Sequence, residues 1–301
     1  MPGAAWRHDG RLFEWVIMNY RDCALHFRCG GEQLFGIASV PEQPGARGVL
    51  IVVGGPQYRA GSHRQFTLLA RSLAERGIAA MRFDYRGMGD SEGAARTFED
   101  VDDDLRAAID GFQQAVPAVR EVVIWGLCDA AAAAMFYAAQ DTRVTGLVLL
   151  NPWARTTGGL AMATLKHYYR GRILDVALWK KIASGRFEFK GASASLLRLV
   201  GAVLRPKPAA AAVGVQSAST LPERMLNGLT RFNGKVLLIM SPTDLTAQEF
   251  LDMTKASLPW QLLLADSRVT RHALDDADHT FSRRVWRDQV ACWTGDWVRS
   301  W

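Results

Sequence analysis

An α/β fold, with a mostly parallel sheet and helices on both of its faces, follows from three features of this sequence. Apolar runs at 48–53, 78–84, 121–125, 144–150, 235–240 and 269–274 have the length and continuity of strands buried on both faces. Segments of helical spacing alternate with these runs, the pattern of strand–helix–strand crossovers in a parallel sheet. Two alternating segments, 14–27 and 33–40, precede the first run. Joined by Cys29-Gly30-Gly31-Glu32, they read as a hairpin that gives the sheet an antiparallel N-terminal edge.

The elements follow in order. The run at 48–53 ends in Gly54-Gly55-Pro56. In the next helix Ser62 and Gln65 stand at capping-box spacing, Phe66, Leu69, Ala70 and Leu73 share a face, and Gly77 is the stop. A second helix is expected from near Thr97, with Glu99, Asp100 and Asp102 suited to the positive end of its dipole. Its apolar face is Val101, Leu105, Ile109, Phe112 and Val116, and Pro117 ends it. The alanine-rich segment 129–139 reads as helix, as do 248–257 and the closing segment 283–297. Residues 153–230 break this rhythm. Amphipathic pieces at 160–169, 173–182 and 193–204 lead into Arg205-Pro206-Lys207-Pro208 and a run of alanines, which reads as a helical cap insertion with an exit linker. The core is then 1–152 together with 231–301, and the cap 153–230.

Charge is unevenly spread. The chain of 301 residues has a net charge of +6, yet residues 155–230 hold 12 basic against 3 acidic side chains and the remainder 24 against 27. The basic segment reads either as solvated helix faces or as attraction for an anionic partner. Such a partner is a phosphate-bearing carrier such as coenzyme A or acyl carrier protein, or anionic lipid met by peripheral membrane contact. No nucleic-acid motif accompanies the charge, so nucleic acid is not an expected partner. No apolar run is long enough to span a bilayer, and the first residues lack the apolar stretch of a secretory signal, so a cytoplasmic protein is expected. The four cysteines form no C-x-x-C pair and read as free thiols in a reducing compartment. No dinucleotide or phosphate-loop fingerprint and no H-E-x-x-H occurs, so neither cofactor nor metal is expected.

The strongest chemical signal is Trp125-Gly126-Leu127-Cys128-Asp129-Ala130, set between an apolar run and the alanine-rich helix. That is the context of the G-x-S-x-G elbow, a sharp turn that lifts a nucleophile above the sheet while small flanking residues let the chain pass closely. Gly126 keeps the first small position, Ala130 replaces the second glycine, and Cys128 replaces serine. An inert thiol at an ordinary strand–helix turn is the simpler alternative, and it leaves the downstream partners unexplained. Asp244 follows the run at 235–240, and His279 lies between the last strand and the closing helix. The order nucleophile, acid, histidine is that of the α/β-hydrolase fold. In it His279 takes the thiol proton and later activates water, while Asp244 orients the imidazole. A helix N-terminus and a histidine favour a thiolate, and Asp129 opposes it. Asp275, Asp276 and Asp278 read as loop carboxylates, and His63 as a helix-end residue. The oxyanion hole is expected from the amide of Asp129 and from the loop Gly54-Gly55-Pro56-Gln57, with Gly55 the first choice and Gln57 the second, since proline has no N–H.

Four blocks together resemble the exosortase A system-associated hydrolase 1 family: Gly54-Gly55-Pro56-Gln57-Tyr58-Arg59, Ser62-His63-Arg64-Gln65-Phe66, Arg82-Phe83-Asp84-Tyr85-Arg86-Gly87-Met88-Gly89-Asp90-Ser91 and Gly126-Leu127-Cys128-Asp129-Ala130. The likeness covers the core up to the cap and resumes at Asp244 and His279. It implies an α/β-hydrolase of bacteria that make exopolysaccharide and sort proteins through exosortase, and it names no substrate. Three function classes stay open on the residues themselves. They are a thioesterase or esterase acting on a small acyl substrate, an acyltransferase working through acyl-Cys128, and a binding protein on a hydrolase fold.

Overall fold

The computed structural model describes residues 19–55, 57–154 and 219–301. Their strands form one eight-stranded sheet in the order β1-β2-β4-β3-β5-β6-β7-β8. The strand β1 (Tyr20–Cys29) pairs antiparallel with β2 (Glu32–Pro41), from Tyr20 opposite Pro41 to Cys29 opposite Glu32. Gly30 and Gly31, both at positive φ (58° and 95°), make the connecting turn, which matches the twist of a hairpin. On its other side β2 pairs antiparallel with β4 (Ala80–Asp84). From there β3 (Arg47–Val52), β5 (Glu121–Leu127), β6 (Val144–Leu150), β7 (Lys235–Met240) and β8 (Val269–Ala273) run parallel. The continuous apolar runs are continuous because both faces are covered. Val49 and Ile51 join one core, and Leu50 and Val52 the other.

One face carries α1 (Gln65–Glu75) and α7 (Arg284–Arg299), which bury Phe66, Leu69, Leu73, Val290 and Trp297 against the sheet. The other carries α2 (Asp102–Ala115), α3 (Asp129–Tyr137), α4 (Leu221–Arg231), α5 (Leu245–Lys255) and α6 (Leu258–Leu264). Leu105, Ile109 and Phe112 of α2 are fully buried there, each such side chain stabilising by roughly 1.5–3 kcal/mol. Alanines 130–134 of α3 are all buried, and their small size lets the helix lie close to its neighbours on every side. The crossing helix α4 meets it at Gly228, where a Cβ would come within 2.1 Å of the Met135 carbonyl oxygen.

Four local expectations change. Ser62 and Gln65 form no capping box, because the Ser62 N–H and hydroxyl both donate to Gln57 Oε1, at 2.9 and 3.3 Å. The second helix begins at Asp102 rather than near Thr97. Residues 97–100 close a turn instead (Asp100 N–H to Thr97 O, 3.0 Å), and Val101 is buried at the helix entry. The helix α6, not expected, follows α5 after a short break at Ala256 and Ser257. The helix α4 was read as part of the cap, yet it buries Met225 and Leu229 in the core, so the core resumes by Leu221 rather than at 231. Its signal is present in the sequence as a formed capping box, Thr220 with Glu223, and a proline in the first turn. The proposed cap helices and most of the basic segment lie outside the described residues. No helix among the described residues is long and apolar enough to cross a membrane.

Candidate active site

The parallel strands deliver their C-terminal loops to one edge of the sheet, and three of those loops meet. Cys128 sits between β5 and α3 with φ 64° and ψ −121°, a strained conformation for a residue bearing a side chain. Neighbouring chain pins it there. Its N–H donates to Leu150 O at 2.9 Å, and its carbonyl accepts from Trp153 N–H at 3.1 Å and Ala131 N–H at 3.2 Å. A Cβ on Gly126 would stand 2.6 Å from both the carbonyl carbon and oxygen of Ala130, so only glycine lets α3 pack this close to β5. Since backbone on both sides resists movement, Gly126→Ala is expected to cost about 1–3 kcal/mol and to displace Cys128. A fall in Tm together with slower alkylation of Cys128 checks this.

His279 lies in the loop after β8, and its ring bridges the other two positions. Its Nδ1–H donates to Asp244 Oδ2 at 2.9 Å, and Cys128 stands near enough to the ring to act on its charge. Asp244 first, and then Cys128, raise His279 from its ordinary 6.5 to about 10, outweighing the opposing effect of burial. The pair therefore keeps a proton on the imidazole across neutral pH. Asp244 also caps α5, its Oδ2 accepting from Ala247 N–H at 2.9 Å. The rival acids do not reach the ring: Asp278 binds the Thr280 and Ser282 amides of its own turn, and Asp275 and Asp276 are exposed. His63 is exposed at the start of α1.

One residue that the sequence reading missed ties these loops together. Asn151, fully buried at φ 39°, donates from Nδ2 to His279 O at 3.1 Å and accepts from Ser241 N–H at 2.7 Å. Ser241 and Thr243 in turn donate to Ala277 O. A polar residue directly after the apolar run of β6 was its only sequence signal. The loop carrying Gly54–Gly55 is fastened from beneath by Asp84, which accepts from the Arg59 N–H at 2.6 Å and from the Arg59 guanidinium. The Asp84–Ser91 turn reaches that loop through Asp84, and α2 through Arg86, whose guanidinium pairs with buried Asp104 at 2.8 Å.

In this structure the Gly55 and Gln57 N–H groups expected to line the oxyanion hole are both engaged elsewhere. Gly55, at φ 62°, does point its N–H toward the elbow, but that N–H donates to the Asp129 carboxylate at 2.9 and 3.0 Å. Ala130 N–H donates to the same carboxylate at 2.9 Å. Gln57 N–H is turned away, donating to Gly55 O at 2.8 Å. The acid next to Cys128 has satisfied the donors within its reach. Burial pushes the Asp129 carboxyl above the usual carboxylate range, with the amide bonds and His279 opposing. Burial, with Asp129 next, also holds the Tyr85 phenol at about 12.

Solved structures share this architecture at low identity. An esterase from Pyrococcus furiosus is similar at a TM-score of 0.62 and 15% identity, covering 99% of both chains. The esterase domain of a Rhodothermus marinus protein is similar at 0.56 and 18%, covering 93% of this chain and 98% of that one. A Xanthomonas campestris protein described as an a/b serine hydrolase without lid is similar at 0.52 and 18%, covering 93% and 96%. No curated protein matches the chain. The model of the alpha/beta hydrolase family matches residues 49–291, from the first parallel strand to the closing helix, and the chain belongs to that family.

Proposed function

We propose that this hydrolase uses Cys128 as its nucleophile, with His279 as proton carrier and Asp244 as the group that orients and charges it, to cleave esters or thioesters. The observation that carries the reading is a strained elbow cysteine beside a histidine that donates to Asp244 at 2.9 Å and is raised to about 10 by that carboxylate first and by Cys128 next. A proton resident on the imidazole leaves sulfur free to attack. Attack on the acyl carbon forms a C–S bond, and the leaving alkoxide or thiolate takes the proton from His279. Neutral His279 then removes a proton from water, which attacks the acyl-cysteine and releases the acid.

The small-molecule acyl group is best supplied on an anionic carrier such as coenzyme A or acyl carrier protein. What favours this is the 12-to-3 excess of basic side chains at 155–230. The likeness of the four sequence blocks to the exosortase A system-associated hydrolase 1 family supports a place beside exosortase and exopolysaccharide systems, in a cytoplasm that keeps Cys128 reduced. Intact-mass measurement after incubation with a panel of acyl thioesters and aryl esters tests the reading. The expected result is one acyl adduct, located on Cys128 by peptide mapping. Turnover with no adduct, and none on quenching early, sinks the covalent mechanism. An adduct that persists in water and leaves on adding a hydroxyl acceptor identifies transfer rather than hydrolysis.

A further inference from the structure

Asp129 occupies the place where the reaction needs an anion. An acyl substrate develops negative charge on its carbonyl oxygen, and backbone N–H groups beside the nucleophile must receive that oxygen. Here the N–H groups of Gly55 and Ala130 converge on the Asp129 carboxylate instead, with Gly55 at 2.9 and 3.0 Å and Ala130 at 2.9 Å. The loop before it makes room for the contact as well. A Cβ on Gly54 would stand 2.3 Å from Asp129 Oδ1, so the chain at 54 leaves room for the carboxylate. The Arg59–Asp84 bonds also fasten the loop that carries Gly54 and Gly55.

We infer that Asp129 is a gate on the oxyanion hole: its carboxylate stands in for the oxyanion, and acylation of Cys128 proceeds only when an acyl carbonyl has displaced it from the Gly55 N–H. This rests on Cys128 being the nucleophile and adds to that reading a condition on which substrates react. Two negative charges cannot share one set of donors at hydrogen-bond distance, so the carboxylate and the developing oxyanion exclude each other. A substrate bound through remote contacts can spend that binding on displacement, whereas a small unactivated ester cannot. The gate thus selects for acyl groups held by a large carrier and protects the sulfur from small esters.

The test compares two reactions at one sulfur. With 4-nitrophenyl acetate, Cys128 attacks the carbonyl carbon and the C=O electron pair moves onto oxygen. The pair then returns to expel 4-nitrophenolate, so the hole is required. With iodoacetamide, sulfur displaces iodide from a saturated carbon and no oxyanion forms. Any change in sulfur reactivity caused by removing a nearby charge affects both rates and cancels in their ratio. In Asp129→Ala the ratio of acylation to alkylation at Cys128 is expected to rise about tenfold or more, within the worth of a hole donor. Asp129→Asn keeps the shape and one acceptor oxygen without the charge, and is expected to fall between parent and Asp129→Ala. It serves where the alanine variant does not fold, as judged by circular dichroism. A ratio that stays level or falls in the folded variants, with alkylation intact, overturns the gate. Failure of iodoacetamide to label Cys128 in the parent overturns the nucleophile reading itself, and the gate with it.

Discussion

Cys128→Ala is expected to lose all acyl adduct, and Cys128→Ser to fold normally yet lose activity by about 10³-fold or more. The elbow geometry accepts either side chain, since the strain lies in the backbone at φ 64°. The difference is chemical. His279 is set to about 10, which suits a partner that gives up its proton before attack. A serine hydroxyl must lose its proton during attack to a histidine that is still neutral, and Asp244, the largest cause of the raised pKa, still sits beside the imidazole in this variant. The same argument predicts that iodoacetamide modifies Cys128 before the other cysteines. Cys29 is buried, and burial raises its thiol; the Cys292 thiol donates to the Asp296 carboxylate at 3.3 Å. Peptide mapping during a labelling time course checks the order. Full activity in Cys128→Ala, with Cys128 unreactive in the native protein, would refute the assignment.

Asp244→Asn is expected to lower turnover about 10²-fold or more while leaving α5 intact. One oxygen of Asp244 serves two purposes, accepting from His279 Nδ1–H and from Ala247 N–H, both at 2.9 Å. Asparagine still caps a helix well, but it cannot hold a charged imidazole in place. Asp244→Ala loses both, and its stability should fall below that of Asp244→Asn by about 1 kcal/mol. The pH dependence has a definite sign. A histidine raised from 6.5 to about 10 contributes stability that is fully present below 6.5 and is lost as pH rises through about 10. Asp244 is the largest cause of that shift, so the Tm gap between the parent and Asp244→Asn should be widest in mildly acidic buffer and close as pH approaches about 10. A gap that widens toward high pH would mean that His279 is not held charged by Asp244.

Sequence alone determined the order and type of most elements, because a parallel strand buried on both faces has to be written as an unbroken apolar run. It also determined the chain positions of Cys128, Asp244 and His279, each at the end of such a run, since a parallel sheet carries all those ends to one edge. The helix α4 was legible in its capping box, Thr220 with Glu223, and was passed over because the surrounding segment broke the rhythm of the core. What only the tertiary structure decided is where hydrogen bonds between distant loops go. Asn151 joining the Asp244 and His279 loops, Arg59 reaching Asp84, and the Gly55 N–H turning to Asp129 are pairings across 128, 25 and 74 residues of chain. No local pattern encodes them, because a donor buried on folding binds whichever acceptor packing brings within about 3 Å. At Gly55 that acceptor is the carboxylate of the residue after Cys128, and so the hole expected to be open is filled by the chain itself.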